Sequence, residues 1–314
     1  MADITSISPK PYSPAGLNLI LLLILLAPHS LLAQEPLFST PFSFHDNRVF
    51  LEASVNGVNG HFILDTGGHH ALNYDFAQRA GVTLEKTIEV YGAGEEQQRG
   101  YTTESFDFKI DGEFVEQARR PLAIDLSMIR DSLKLLYLDG IIGSELFKKY
   151  VVEINYADTV LNLYSFRQAP FPENAITVQF SYYNERMPVV LGEINGKTGR
   201  FLIDTGDRSE LTLFRPYADK LRYGENEKPG RLKLTGYGVG GEIIGRELLL
   251  KQMKLIARPY DVTFKNVFAR IPNHVTGSYA PRVEAGSIGN GLLKTFDKVI
   301  VNYQQKRIYL FLKE

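Results

Sequence analysis

Two aspartates in this chain are followed by the same two residues, giving Asp65-Thr66-Gly67 and Asp204-Thr205-Gly206. Each closes an apolar run, 62–64 and 201–203, so each carboxyl is set at the end of a segment whose burial disfavours a charge. Two such carboxyls brought into contact cannot both ionise comfortably, and the pair holds one proton across the middle pH range. One member can then take a proton from water while the other, protonated, polarises a carbonyl. That chemistry is hydrolysis by activated water, with no metal, no cofactor and no covalent intermediate. The glycines let each turn double back sharply and present backbone N–H groups to the carboxylate. The threonine hydroxyls of Thr66 and Thr205 are placed to bond the opposite turn.

For the two acids to meet, the chain must fold as two matching halves, and it repeats itself accordingly. Residues 55–67 align without a gap on 194–206, since 204 − 65 and 206 − 67 both equal 139. Each copy reads as strand, Asn-Gly turn (Asn56-Gly57 and Asn195-Gly196), strand. Further on, Tyr91-Gly92-Ala93-Gly94 matches Tyr237-Gly238-Val239-Gly240. Then Ile141-Ile142-Gly143 matches Ser287-Ile288-Gly289, both pairs at a spacing of 146 (237 − 91 and 289 − 143). Strands at 151–156 and 299–303 follow, each with a turn and a final strand, 160–164 and 307–311. Three landmarks repeated in order are far more specific than one motif. β-Branched and aromatic runs bounded by Gly, Asn and Pro predict a mainly β fold. Short helices are predicted at 74–80, 126–136, 145–149 and 213–221. The halves are 34–168 and 175–314, joined by a linker at 168–174 that Pro170 and Pro172 keep out of any strand.

Residues 1–33 read differently. A polar stretch is followed by an apolar run at 17–27, then Pro28 and a small residue, Ala33. The run has the length of a signal-peptide core and falls short of the roughly 20 residues of a spanning helix. The expectation is an exported protein, periplasmic or secreted, with membrane attachment only if this segment is retained. The 35 basic and 36 acidic residues leave a net charge of −1, which argues against nucleic acid as a partner. The absence of cysteine excludes disulfides, thiolate metal sites and cysteine nucleophiles. No phosphate loop, dinucleotide fingerprint or Gly-x-Ser-x-Gly elbow occurs.

The paired Asp-Thr-Gly turns, together with the closing elements at Gly143 and Gly289, resemble the aspartic protease superfamily, whose proton-sharing dyad is the standard example of this chemistry. The resemblance runs from about Phe42 to the C-terminus and is nearest to bacterial two-lobed members with retropepsin-like halves. It implies two pseudo-symmetric β-barrel lobes and an aspartic-type endopeptidase with Asp65 and Asp204 as the catalytic pair. Thr66, Gly67, Thr205 and Gly206 would support the catalytic loops. Tyr91, Gly92, Gly94, Tyr237, Gly238 and Gly240 would lie in flaps closing over a peptide or protein substrate bound in strand form. Two such turns in one chain make a monomer sufficient. The chain departs from the family immediately after each turn, with Gly68 and Asp207 where Ser, Thr or Ala is usual. Neither can donate a hydroxyl to the dyad. Asp207 adds a negative charge, with Arg208 beside it as a neutraliser, so the dyad is expected to stay protonated to higher pH.

Plainer readings exist for several of these residues. An Asp can merely cap a turn, but that leaves the ordered repeat unexplained. The same fold could bind peptides without cleaving them. His45, His61, His69 and His70 suggest a metal site, yet adjacent histidines on extended chain point to opposite faces. His69 and His70 are therefore read as bordering the cleft. Tyr91 and Tyr237 are as easily packing residues as substrate contacts.

Overall fold

The computed structural model describes residues 2–9, 35–135, 137–167, 175–221, 228–280 and 283–313. The predicted linker at 168–174 and the apolar run at 17–27 lie outside the described residues. Among the described residues, no helix is long and apolar enough to cross a membrane.

The fold is mainly β, with a few short helices. Both Asn-Gly hairpins form as the sequence predicts: Arg48–Val55 pairs with Val58–Leu64, and Met187–Ile194 with Lys197–Asp204. Asn56, Gly57, Asn195 and Gly196 all have positive φ, the geometry in which a two-residue turn matches the strand twist. The strand Gly140–Ile142 lies parallel to Val58–Leu64 and antiparallel to Ala71–Asn73. In the other half, Gly286–Gly289 lies parallel to Lys197–Asp204 and antiparallel to Leu211–Leu213. In each half, then, the strand ending in aspartate and the strand that follows it are separated by a third strand arriving from much later in the chain. That third strand carries the Ile-Gly element and closes the sheet beneath the Asp-Thr-Gly turn.

Alternation buries one face of each curled sheet; Phe106–Ile110 follows the pattern strictly. In the first half Phe62 meets Phe76 and Phe108 edge-on at 5.3 and 5.1 Å, and all three are fully buried. Phe264 and Phe296 play the same part in the second half. Two of the helices are markedly shorter than predicted. Ser127–Ser132 replaces 126–136, ending where Lys134 takes a positive φ, and Arg215–Ala218 replaces 213–221. The turn Asn290–Leu293, the counterpart of Ser144–Lys149, was not predicted.

A third sheet joins the halves. Its order is Ile176–Gln179, Arg307–Leu312, Phe296–Asn302, Val151–Asn155, Val160–Tyr164, Phe38–Pro41. Three strands come from each half and the order reads the same from either end. At its centre Val151–Asn155 pairs with Phe296–Asn302 across the pseudo-two-fold axis, Ile154 opposite Val299. The two repeats thus share one sheet. Asp3–Pro9 adds an antiparallel strand to Tyr260–Pro272, a pairing that the reading of 1–33 as a segment apart does not account for.

Candidate active site

The aspartates 139 positions apart meet at the junction of the two halves. Val58–Leu64 and Lys197–Asp204 point their C-terminal ends at each other, and the next two residues of each turn interlock. Thr66 Oγ1 donates to the carbonyl of Ile203 at 2.8 Å, and Thr205 Oγ1 donates to that of Leu64 at 2.9 Å. Each hydroxyl also accepts the other threonine's backbone N–H, at 3.0 and 3.1 Å. Both side chains are buried, so four bonds tie the halves together where water cannot compete.

Above this lock the Asp65 and Asp204 carboxyls come together, each lying against the glycine of the opposite turn, and both residues remain partly exposed. Asp65 Oδ1 accepts the Gly67 N–H at 2.6 Å; Asp204 Oδ1 accepts those of Gly206 and Asp207 at 3.0 and 3.1 Å. Gly67 and Gly206 are there for close approach, not for positive φ. A β-carbon on Gly206 would stand 2.5 Å from the Asp65 Cγ, and one on Gly67 3.0 Å from Asp204 Oδ1. Gly68 is equally constrained, because a β-carbon there would meet Asp65 Oδ2 at 2.6 Å.

The two acids are not equivalent. Burial raises Asp65, while N–H donors from Gly67 and Gly68, the bond from Asp204 and the positive charge of Arg186 pull it back. Asp204 is raised well above the ordinary carboxylate range, first by burial, then by the charges of Asp65 and Asp207. Both shifts have the direction expected of a dyad sharing one proton. The asymmetry follows from the residues after the turns: Gly68 carries no charge, whereas Asp207 carries a negative one.

Asp207 is itself neutralised, though not by Arg208. Its Oδ1 is 3.1 Å from Nη2 of Arg270, and its oxygens also accept from Thr212 Oγ1, Ser287 Oγ and the Ser209 N–H. Burial raises its pKa, but Arg270 and these donors outweigh burial and hold it below the usual range. Arg270 also donates to the Tyr279 hydroxyl at 3.2 Å. Arg208 turns instead to Asp46, at 2.8 Å, because Arg270 already fills the position beside Asp207. Arg270 was missed in the sequence: in the run 268–271 it reads as a solvent-facing strand residue, and only the fold buries it.

The histidines separate as well. His69 is exposed, with Nδ1 2.7 Å from Glu145 Oε1. His70 does not border the cleft; it is buried beneath the Gly143 element. Its Nδ1 accepts the Gly143 N–H at 3.0 Å and its Nε2 lies 3.2 Å from Glu116, which Lys149 also approaches. Adjacent residues on extended chain face opposite ways, and the inward one has become a prop. No metal-binding group of His, Asp and Glu occurs among the described residues.

The Gly-rich segments form hairpin tips, between Leu84–Val90 and Gln98–Thr103 and between Lys233–Gly238 and Gly241–Leu255. The tips meet each other. Gly94 N–H donates to Val239 O at 2.8 Å and Glu96 N–H to Gly240 O at 2.9 Å. Ala93 packs on the cluster holding Leu202 and Phe214, and Val239 on that holding Phe50, Ile63 and Ile141, so each tip rests on the opposite half. Gly92 accepts the Ser278 N–H, while Gly238 lies against Ala93. Tyr91 is 57 % exposed with its hydroxyl on Glu89, away from the tip contact; Tyr237 lines a cavity beside the Asp204 turn. No protein-family model matches this chain, and no curated protein matches it either.

Proposed function

We propose that this chain is an aspartic endopeptidase of two acid-protease lobes, hydrolysing peptide bonds with water activated between Asp65 and Asp204. The observation that carries the reading is the pair of carboxyls, each set against the opposite Asp-Thr-Gly turn, over the symmetric Thr66–Thr205 lock. Asp65, whose turn carries no second acid, is assigned as the general base. It takes a proton from the water as the oxygen attacks the peptide carbonyl. Asp204, holding the shared proton, donates to that carbonyl oxygen. As the C–N bond of the tetrahedral intermediate breaks, Asp65 passes its acquired proton to the leaving nitrogen and one hydroxyl of the intermediate returns a proton to Asp204.

The hairpin tips supply the cover. A strand-form peptide must part the bonds between Gly94 and Val239 and between Glu96 and Gly240 to reach the dyad, and the freed backbone groups can then pair with it. The displaced Ala93 and Val239 vacate apolar surface on both halves, matched to apolar side chains of the peptide. Action outside the cytoplasm belongs to the proposal, from the composition of residues 1–33.

Incubation with a mixed peptide library, read by mass spectrometry, tests the reading. Cleavage blocked by a statine-type inhibitor and abolished by Asp65→Asn is expected. Binding of peptides without any cleavage across pH 3 to 8 would replace it with a peptide-binding protein.

A further inference from the structure

A cavity of about 440 Å³ lies next to the Asp204 turn. On one side stand Leu133 and Lys134, past the end of the helix Ser127–Ser132. On the other stands the stem of the second hairpin, 234–237, with Glu247. His45, Asp46, Arg48, Ser132 and Arg208 complete the lining. Its link to the dyad is direct. Arg48 Nε donates to the carbonyl of Gly206 at 3.0 Å, and Arg208 is four residues beyond Asp204. A chain running between the hairpin tips and the aspartates would leave the dyad past this cavity.

The lining carries one more cation than acid. Arg48, Lys134 and Arg208 face two acids, Asp46 and Glu247. Glu247 is already engaged by Lys233 at 2.6 Å. Asp46 accepts one N–H from each arginine, both at 2.8 Å. A guanidinium has five N–H donors, and the bonds to Asp46, Gly206 and Thr235 use two on each arginine. Arg48 is buried and held on two sides, so its remaining donors are fixed in place. Asp207, whose charge also reaches Arg48, is paired with Arg270, which offsets part of its repulsion of an incoming anion.

We propose that this cavity is a specificity subsite that receives a carboxylate of the bound peptide, held by Arg48 and Arg208 with Lys134 at the rim; the course of the peptide past Asp204 rests on the peptidase reading. The carboxylate comes from a Glu or Asp side chain or from a chain terminus, and a charge-assisted pair with a guanidinium fork suits either.

The test uses the full chain carrying Asp204→Asn, so that peptides are bound and not consumed. End-blocked decapeptides with Glu or Gln at each position in turn are titrated by calorimetry. A neutral decapeptide with a free or amidated C-terminus is the second arm. One position, or the free terminus, is expected to favour the acid by about tenfold at low salt and by less at high salt. Arg208→Gln brings that ratio towards one. Lys134→Gln lowers it by about twofold and serves if Arg208→Gln does not fold. Equal binding of acidic and neutral partners in every pair overturns the proposal. Cleavage by the unsubstituted protein is scored separately. Turnover without acidic preference removes the subsite and keeps the peptidase. Acidic preference without turnover keeps the subsite and removes the peptidase.

Discussion

At the scale of single residues, the asymmetry between Asp65 and Asp204 makes a claim about stability. Asp204 in the unfolded chain ionises near its ordinary value, while in the folded protein burial and its acidic neighbours delay ionisation to higher pH. Between those two points the folded form binds the extra proton, so stability falls as pH rises through the interval. Asn at this position keeps an N–H for Asp65 and has nothing to ionise. Asp204→Asn should therefore abolish cleavage while raising Tm at pH 7 by about 2 °C, a gain that disappears near pH 3. Calorimetric scans at the two pH values check it; a lower Tm at both would contradict the buried-acid account. Gly68→Ala tests the packing around the other acid. Its methyl would meet Asp65 Oδ2 at 2.6 Å, and displacement of that carboxyl by a few tenths of an ångström should cost about tenfold in kcat.

At the scale of elements, the strand Tyr260–Pro272 and the turn after Asp204 are coupled through Arg270 and Asp207. Removing one partner leaves a buried charge; removing both leaves two neutral groups. Arg270→Met should cost about 3–5 kcal/mol in urea unfolding, and adding Asp207→Asn should recover much of it. Asp207→Asn alone also removes a negative charge beside Asp204 and leaves the positive charge of Arg270. Both changes favour ionised Asp204, so the alkaline limb of kcat/KM should move to lower pH. Arg186, on the Asp65 side, is unaffected. The two tips test a different coupling. A side chain on Gly94 would run into the Gly240 backbone, so Gly94→Val should prevent the tips from meeting. It should lower kcat/KM on the order of a hundredfold while leaving Tm nearly unchanged.

At the scale of the whole molecule, the repeat was legible because it is written in local chemistry. Asn-Gly turns, apolar strands and Asp-Thr-Gly corners each act within a dozen residues, and their order survives translation into a fold. What could not be read was what long-range packing decides. Arg270 and His70 look like surface residues in a one-dimensional string and become buried props only when a distant strand closes over them. Arg208 was assigned to Asp207 by adjacency, whereas space beside Asp207 was taken by a residue 63 positions away. The helix expected over 126–136 was truncated by a backbone reversal at Lys134 that apolar periodicity does not encode.

The palindromic third sheet has a consequence for the halves taken singly. Val151–Asn155 is an inner strand only because Phe296–Asn302 lies against it; residues 35–167 made on their own would expose that flank as an open ladder of N–H and C=O groups. The nearest surface of matching pitch in such a solution is another copy of the same fragment. The fragment should sediment as a twin, with Asp65 facing its own duplicate and Thr66 gripping Thr66 in place of Thr205.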